Sequence, residues 1–161
     1  MKRDFSELSP REALWVAVGI EERNTQIYRN YSSMFREFDA ETAAIFEEMA
    51  AEECQHQQAL EDRYHQLFGS EPGTLTPNDV EQLIEAPVVR DGELFIYEGI
   101  TLREALEVGL RAEREARDFY RRLVQTTADP ALVELYRELA ETENDHEVRL
   151  FNKIREYAQK A

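Results

Sequence analysis

Glu53-x-x-His56 and Glu143-x-x-His146 are two copies of one ligand pattern. Each lies downstream of a glutamate that precedes a tyrosine by seven residues, Glu21 with Tyr28 and Glu113 with Tyr120. Helical neighbours three apart share a face about a turn apart in height, so a Glu and a His at this spacing converge on one ion. Redox-active first-row metals accept both imidazole and carboxylate, and a second ion close by needs carboxylates that bridge. One glutamate from each of two helices plus Glu-x-x-His from each of two others is a complete two-metal ligand set. Four carboxylates against two divalent ions leave the site formally neutral, which makes its burial tolerable. The repeat extends beyond the motifs, because residues 45–53, ending Glu52-Glu53, are echoed by 135–143, ending Thr142-Glu143. Two similar helical hairpins are the simplest reading.

Apolar periodicity supplies the elements that must position these residues. A first helix over about 10–38 follows Ser9 as N-cap with Pro10 in its first turn; its inward stripe is Leu14, Val18, Glu21, Thr25, Tyr28, Tyr31 and Phe35. A second over about 40–68 stops at Gly69 and carries Ile45, Met49, Glu53, His56, Leu60 and Leu67 inward. A third over about 101–127 opens on a Thr101 and Glu104 capping box, with Leu102, Leu106, Gly109, Glu113, Ala116, Tyr120 and Leu123 on one face. A fourth over about 130–158 opens at Asp129-Pro130 and aligns Leu132, Leu135, Leu139, Glu143, His146, Leu150 and Ile154. Residues 69–100 are long for a tight hairpin connection and suit a crossover along the bundle side. A short helix over 78–85 and packing by Leu94, Phe95, Ile96 and Tyr97 are expected there.

Length and composition agree. The 161 residues suit one domain able to bury a substantial core. A formal charge of −15 argues against general nucleic-acid binding and favours cations. Cys54 is the sole cysteine, which excludes an internal disulfide and a four-cysteine iron site. With no apolar run long enough to span a bilayer and no leader pattern, the expected location is the cytoplasm.

Blander readings of the same residues compete with these. Exposed Glu and His contacts on acidic helices would give the same pairs, but carboxylates on a core stripe are costly unless paired or bound to cations. Glu21 and Glu113 stand apart from Glu22 and Glu115 by their stripe positions and their shared spacing to tyrosine. Tyr28 and Tyr120 leave two readings open, ordinary core aromatics or hydrogen-bond donors to the ligands. His65, nine residues after His56, falls half a rotation away and reads as a surface residue. Cys54 points off the metal-facing stripe and reads as packing or interface, while Trp15 suits core or subunit contact alike.

The order Glu21, Glu53-x-x-His56, Glu113, Glu143-x-x-His146, with Tyr28 after the first glutamate, resembles the di-iron domain of the rubrerythrin and bacterioferritin branches of the ferritin-like superfamily. Residues 8–60 and 107–154 carry the likeness. Residues 113–120 are nearer still to the erythrin-type domain of membrane-bound ferritins, whose membrane segment has no counterpart in this sequence. The resemblance implies an all-α, ferritin-like four-helix bundle of two hairpins joined by a long crossover, one domain over 1–161. It implies two iron ions held by Glu21, Glu53, His56, Glu113, Glu143 and His146, with Glu53 and Glu143 bridging and Glu21 and Glu113 terminal. Manganese or a mixed pair suits the same ligands.

The implied activity is that of a non-haem di-iron oxidoreductase oxidising Fe(II) with oxygen or hydrogen peroxide, as a ferroxidase or a rubrerythrin-like peroxidase, with a separate electron donor. A non-catalytic iron-binding, sensing or delivery module is the alternative. Two departures from rubrerythrin are visible: there are no paired cysteines for a rubredoxin-like domain, and Ala116 replaces an additional glutamate three residues after the helix-three ligand. The ligand set is thus closer to bacterioferritin's, and a nearly symmetric six-ligand site is expected. Helix four runs almost to the last residue given, so a two-fold homodimer is expected in place of a cage.

Overall fold

The computed structural model describes residues 7–69 and 100–160, and these form four helices with no strand among them. They are α1 (Pro10–Phe35), α2 (Ala40–Phe68), α3 (Leu102–Thr126) and α4 (Pro130–Lys160). Their ends follow capping chemistry. Ser9 and Glu12 form a capping box on α1, and Thr101 and Glu104 form another on α3. Asp129 Oδ1 accepts from the Ala131 N–H at 2.8 Å to open α4. Gly69, at φ 64°, closes α2 in the left-handed conformation that glycine adopts without strain.

Helix α1 stops at Phe35, short of the expected Phe38. The Phe38 and Asp39 N–H groups both turn back to the Phe35 carbonyl, at 3.0 and 2.8 Å. Asp39 then caps α2 through the Thr42 N–H, so Phe38 is left in the turn with 73% exposure. One stripe residue also departs from expectation: Leu67 is 40% exposed. The first turns of α1 lie over Tyr64 and Phe68 instead, through Trp15 and the Arg11 guanidinium, and leave Leu67 on the uncovered side.

Each hairpin pairs antiparallel helices, α1 with α2 and α3 with α4. Across the bundle, Tyr28 of α1 meets Gly109 and Glu113 of α3, whereas Glu21 meets Tyr120, so α1 and α3 also run antiparallel. Glu41 meets Lys153 and Glu52 meets His146, which gives α2 and α4 the same relation. It follows that α2 and α3 run parallel, and that Gly69 and Ile100 lie at opposite ends of the bundle. The crossover over 70–99, its short helix and its packing residues lie outside the described residues.

The core is divided. One apolar cluster gathers Leu14, Val18, Leu60, Tyr64, Leu123 and Leu132; the other gathers Tyr31, Phe46, Met49, Leu102, Leu106 and Leu150. Between them, at mid-height, every helix turns a charged or ionisable side chain inward.

Candidate metal centre

Glu21 on α1, Glu53 on α2, Glu113 on α3, and Glu143 and His146 on α4 are each 0% exposed, and His56 on α2 is the least enclosed of the six. The expected residues are therefore brought together by four different helices. Four buried carboxylates without cations would be strongly unfavourable in an apolar interior.

Their geometry is specific. The Nδ1 atom of His56 lies 3.4 Å from Glu21 Oε2, 3.2 Å from Glu53 Oε2 and 3.4 Å from Glu143 Oε1. The Nδ1 atom of His146 lies 2.9 Å from Glu53 Oε1, 3.3 Å from Glu113 Oε2 and 3.6 Å from Glu143 Oε2. Glu53 and Glu143 thus offer one oxygen to each histidine, while Glu21 and Glu113 each serve one. Two candidate ligand groups result, sharing Glu53 and Glu143. The imidazoles stand 6.0 Å apart and nearly parallel, with 22° between their planes.

Both tyrosines act as donors across the bundle. The Tyr28 hydroxyl donates to Glu113 Oε1, and the Tyr120 hydroxyl donates to Glu21 Oε1. Each hairpin thereby fixes a buried glutamate of the other. The second oxygen of each glutamate, Glu113 Oε2 and Glu21 Oε2, is left facing the centre with no hydrogen-bond partner. Tyr28 stacks on Phe46 and Tyr120 on Tyr136 at the corresponding place in the repeat.

Charge crowding shows in the titration of these groups. Burial, then the negative charge of Glu53, pushes the Glu21 carboxyl from 4.5 up to about 8. Glu113 is raised well above the carboxylate range by burial and then by Glu143. Burial alone would lower His56, but the carboxylates of Glu143, Glu21 and Glu53 close around it outweigh that and push the imidazole up to about 12. His146 is raised in the same sense against its burial, by Glu113, Glu143 and Glu53. Burial and the facing glutamates hold Tyr28 and Tyr120 protonated. In the metal-free protein, protons take up charge that a cation would otherwise balance.

The donor set fits a pair of first-row metal ions. Besides Glu21 Oε2 and Glu113 Oε2, the buried atoms Glu53 Oε1, both Glu143 oxygens and His146 Nδ1 lack hydrogen-bond partners, and all belong to the two ligand groups. Unsatisfied buried oxygens facing a common centre are what metal coordination relieves.

Two contributors escaped the sequence reading. Glu52 Oε2 lies 2.7 Å from His146 Nε2, on the far side of that ring from the carboxylates. Its signal was the acidic residue before Glu53, where the repeat has Thr142. Gly109 lets the Tyr28 ring approach α3, since an added Cβ would sit 3.2 Å from Tyr28 Cε1. His65 is exposed, as expected, and Cys54 is exposed and free. Trp15 is half-buried against Tyr64.

Comparison with known proteins agrees with this architecture. The rubrerythrin family model matches residues 12–154. No curated protein matches the chain. Among solved structures, an uncharacterized conserved protein from Magnetospirillum magnetotacticum MS-1 is similar at TM-score 0.72 and 21% identity, covering 92% of this chain and 95% of that one. A hypothetical protein from Pyrococcus furiosus is similar at TM-score 0.78 and 19% identity, covering 94% and 91%. A dodecameric thioferritin, the bacterioferritin-related protein of Bacteroides fragilis, is similar at TM-score 0.69 and 18% identity, covering 93% and 89%. At these identities the structural likeness speaks for the fold alone. No helix among the described residues is long and apolar enough to cross a membrane.

Proposed function

The chain belongs to the rubrerythrin family, and from that premise we propose that it is a di-iron oxidoreductase which oxidises Fe(II) with oxygen or hydrogen peroxide. The observation that carries this reading is the pair of ligand groups sharing Glu53 and Glu143. Glu21, Glu53, His56 and Glu143 would hold one iron; Glu113, His146, Glu53 and Glu143 would hold the other. When bound, the pair of irons supplies two electrons, enough to take oxygen with two protons to hydrogen peroxide, or peroxide with two protons to water.

The protein's own residues prepare that chemistry. Bridging by Glu53 and Glu143 would keep the two ions close enough to act on one oxidant. Tyr28 and Tyr120 orient Glu113 and Glu21, leaving one oxygen of each for metal. Apolar clusters above and below limit water, and the partly exposed edge of His56 is an approach for iron and oxidant. Iron is the assigned metal on family grounds; manganese or a mixed pair suits the same donors.

Reconstitution under anaerobic conditions should give about two ions per chain. Stopped-flow absorbance after mixing with each oxidant should show Fe(II) oxidised faster than free Fe(II) in the same buffer, and Glu53→Ala should abolish the advantage. Metal uptake with no rate advantage for either oxidant would reject the enzyme and leave an iron-binding, sensing or delivery module.

A further inference from the structure

The ligands repeat with near symmetry, but what supports them does not. We infer that the two metal positions are unequal: the ion at His146 is retained because Glu52 fixes that imidazole, and the ion at His56 exchanges with solvent. This rests on the ligand assignment proposed above.

Both histidines turn Nδ1 toward the carboxylates, so each ring can be fixed only from Nε2. A histidine that binds metal through one nitrogen carries its proton on the other, and an acceptor for that proton sets tautomer, ring orientation and basicity. For His146 the acceptor is Glu52 Oε2, at 2.7 Å. Glu52 is itself steadied, since its Oε1 accepts from Arg149 Nη1 at 3.4 Å. Helix α2 therefore supplies His146 with the bridging glutamate on one side, and with the acceptor on the other from the residue just before it.

The repeat places Thr142 where this arrangement would need an acceptor for His56. The Thr142 hydroxyl instead donates to its own helix, to the Glu138 carbonyl at 3.1 Å. No partner for His56 Nε2 occurs among the described residues. Exposure follows the same division, with the His146 side chain 0% exposed and that of His56 15% exposed. One imidazole is fully buried, with carboxylates facing Nδ1 and Glu52 on Nε2; the other has carboxylates facing Nδ1 alone and is partly exposed. The symmetric centre expected from the ligand list is thus asymmetric in its surroundings. Functionally, the His56 position becomes the one at which substrate iron enters and leaves.

Release of Co(II) tests this without reference to oxidation. Protein loaded with Co(II) is mixed with excess chelator, and loss of the visible cobalt absorption is followed. Two phases are expected, differing in rate by roughly 10-fold or more, the range over which such outer partners change metal affinity. His146→Ala should remove the slow phase and His56→Ala the fast one. Glu52→Ala should accelerate the slow phase by roughly 10-fold and leave the fast phase unchanged, with Glu52→Gln intermediate. Because Glu52 is 36% exposed, these variants keep the core intact, which circular dichroism checks. A single phase for both ions, or a slow phase indifferent to Glu52, overturns the inference and leaves the site standing. Failure to bind cobalt at all would remove the site assignment, and this inference with it.

Discussion

Gly109→Ala sets three effects of known size against one another. Gly109 lies one helical turn before Glu113, on the face that receives Tyr28. A Cβ there would stand 3.2 Å from Leu150 Cδ1, 3.2 Å from Tyr28 Cε1 and 3.4 Å from the Tyr28 hydroxyl. Tyr28 and Leu150 are both fully buried, and Tyr28 is backed by Phe46 at 5.9 Å between ring centroids, so neither can withdraw freely. Helix propensity favours alanine by about 1 kcal/mol. Overpacking a dense core opposes it by about 1–3 kcal/mol. The metal-free protein should therefore be destabilised by about 0–2 kcal/mol, the difference of those terms. Metal binding should suffer more. A ring displaced by a few tenths of an ångström moves the hydroxyl off Glu113, and a hydrogen bond to a charged group contributes about 1.5–3 kcal/mol. Partial loss corresponds to roughly 10-fold weaker binding at the His146 position. Urea unfolding of the metal-free protein gives the first quantity, and Co(II) competition against a chelator gives the second. Tyr28→Phe removes the same hydroxyl without crowding, so the affinity losses of Gly109→Ala and Tyr28→Phe should not add in the double variant. A Gly109→Ala protein that is about 1 kcal/mol more stable and binds metal normally would refute the reasoning, because helix propensity alone would then account for it. Additive losses would refute the shared hydroxyl.

Two further outcomes are expected. Glu21 is raised from 4.5 to about 8 in the metal-free protein, so its contribution to stability is full below pH 4.5 and is lost as pH rises through about 8. His56, raised from 6.5 to about 12, loses its contribution over a higher window. Metal needs both groups deprotonated, so the rise in Tm on adding metal should grow between pH 4.5 and 8, and metal uptake should release protons in calorimetry across buffers. A constant rise, or uptake without proton release, would contradict this. In assembly we propose a two-fold homodimer; light scattering at the mass of many subunits would replace it with a larger closed assembly.

The parts of this molecule legible in the sequence are those set by spacing within one helix. Glu53 and His56, or Glu143 and His146, share a face because residues three apart must. The caps at Ser9, Thr101, Asp129 and Gly69 are equally local. Where the reading fell short, the deciding partner lay on another element. Helix α1 ends at Phe35 because Asp39 is committed to capping α2, and Leu67 is exposed because the start of α1 covers Tyr64 and Phe68 in its place. Tyr28 and Tyr120 could not be resolved between packing and donation until their targets were known, and those targets lie on the opposite hairpin.

The same distinction explains why the two halves of the site can differ although their ligands match. Under the proposed assignment Glu53 and Glu143 each belong to both ligand groups, so a change at either would disturb both positions at once. The residue before each is constrained only by what it touches across the bundle. At Glu52 that is His146; at Thr142 it is merely the carbonyl one turn back. Glu52 and Thr142 each precede a shared carboxylate, yet only Glu52 reaches an imidazole on the facing helix. An internal repeat can therefore keep a symmetric inner set of carboxylates and imidazoles while its outer contacts differ, and unequal handling of two ions would need no change in any of the six candidate ligands.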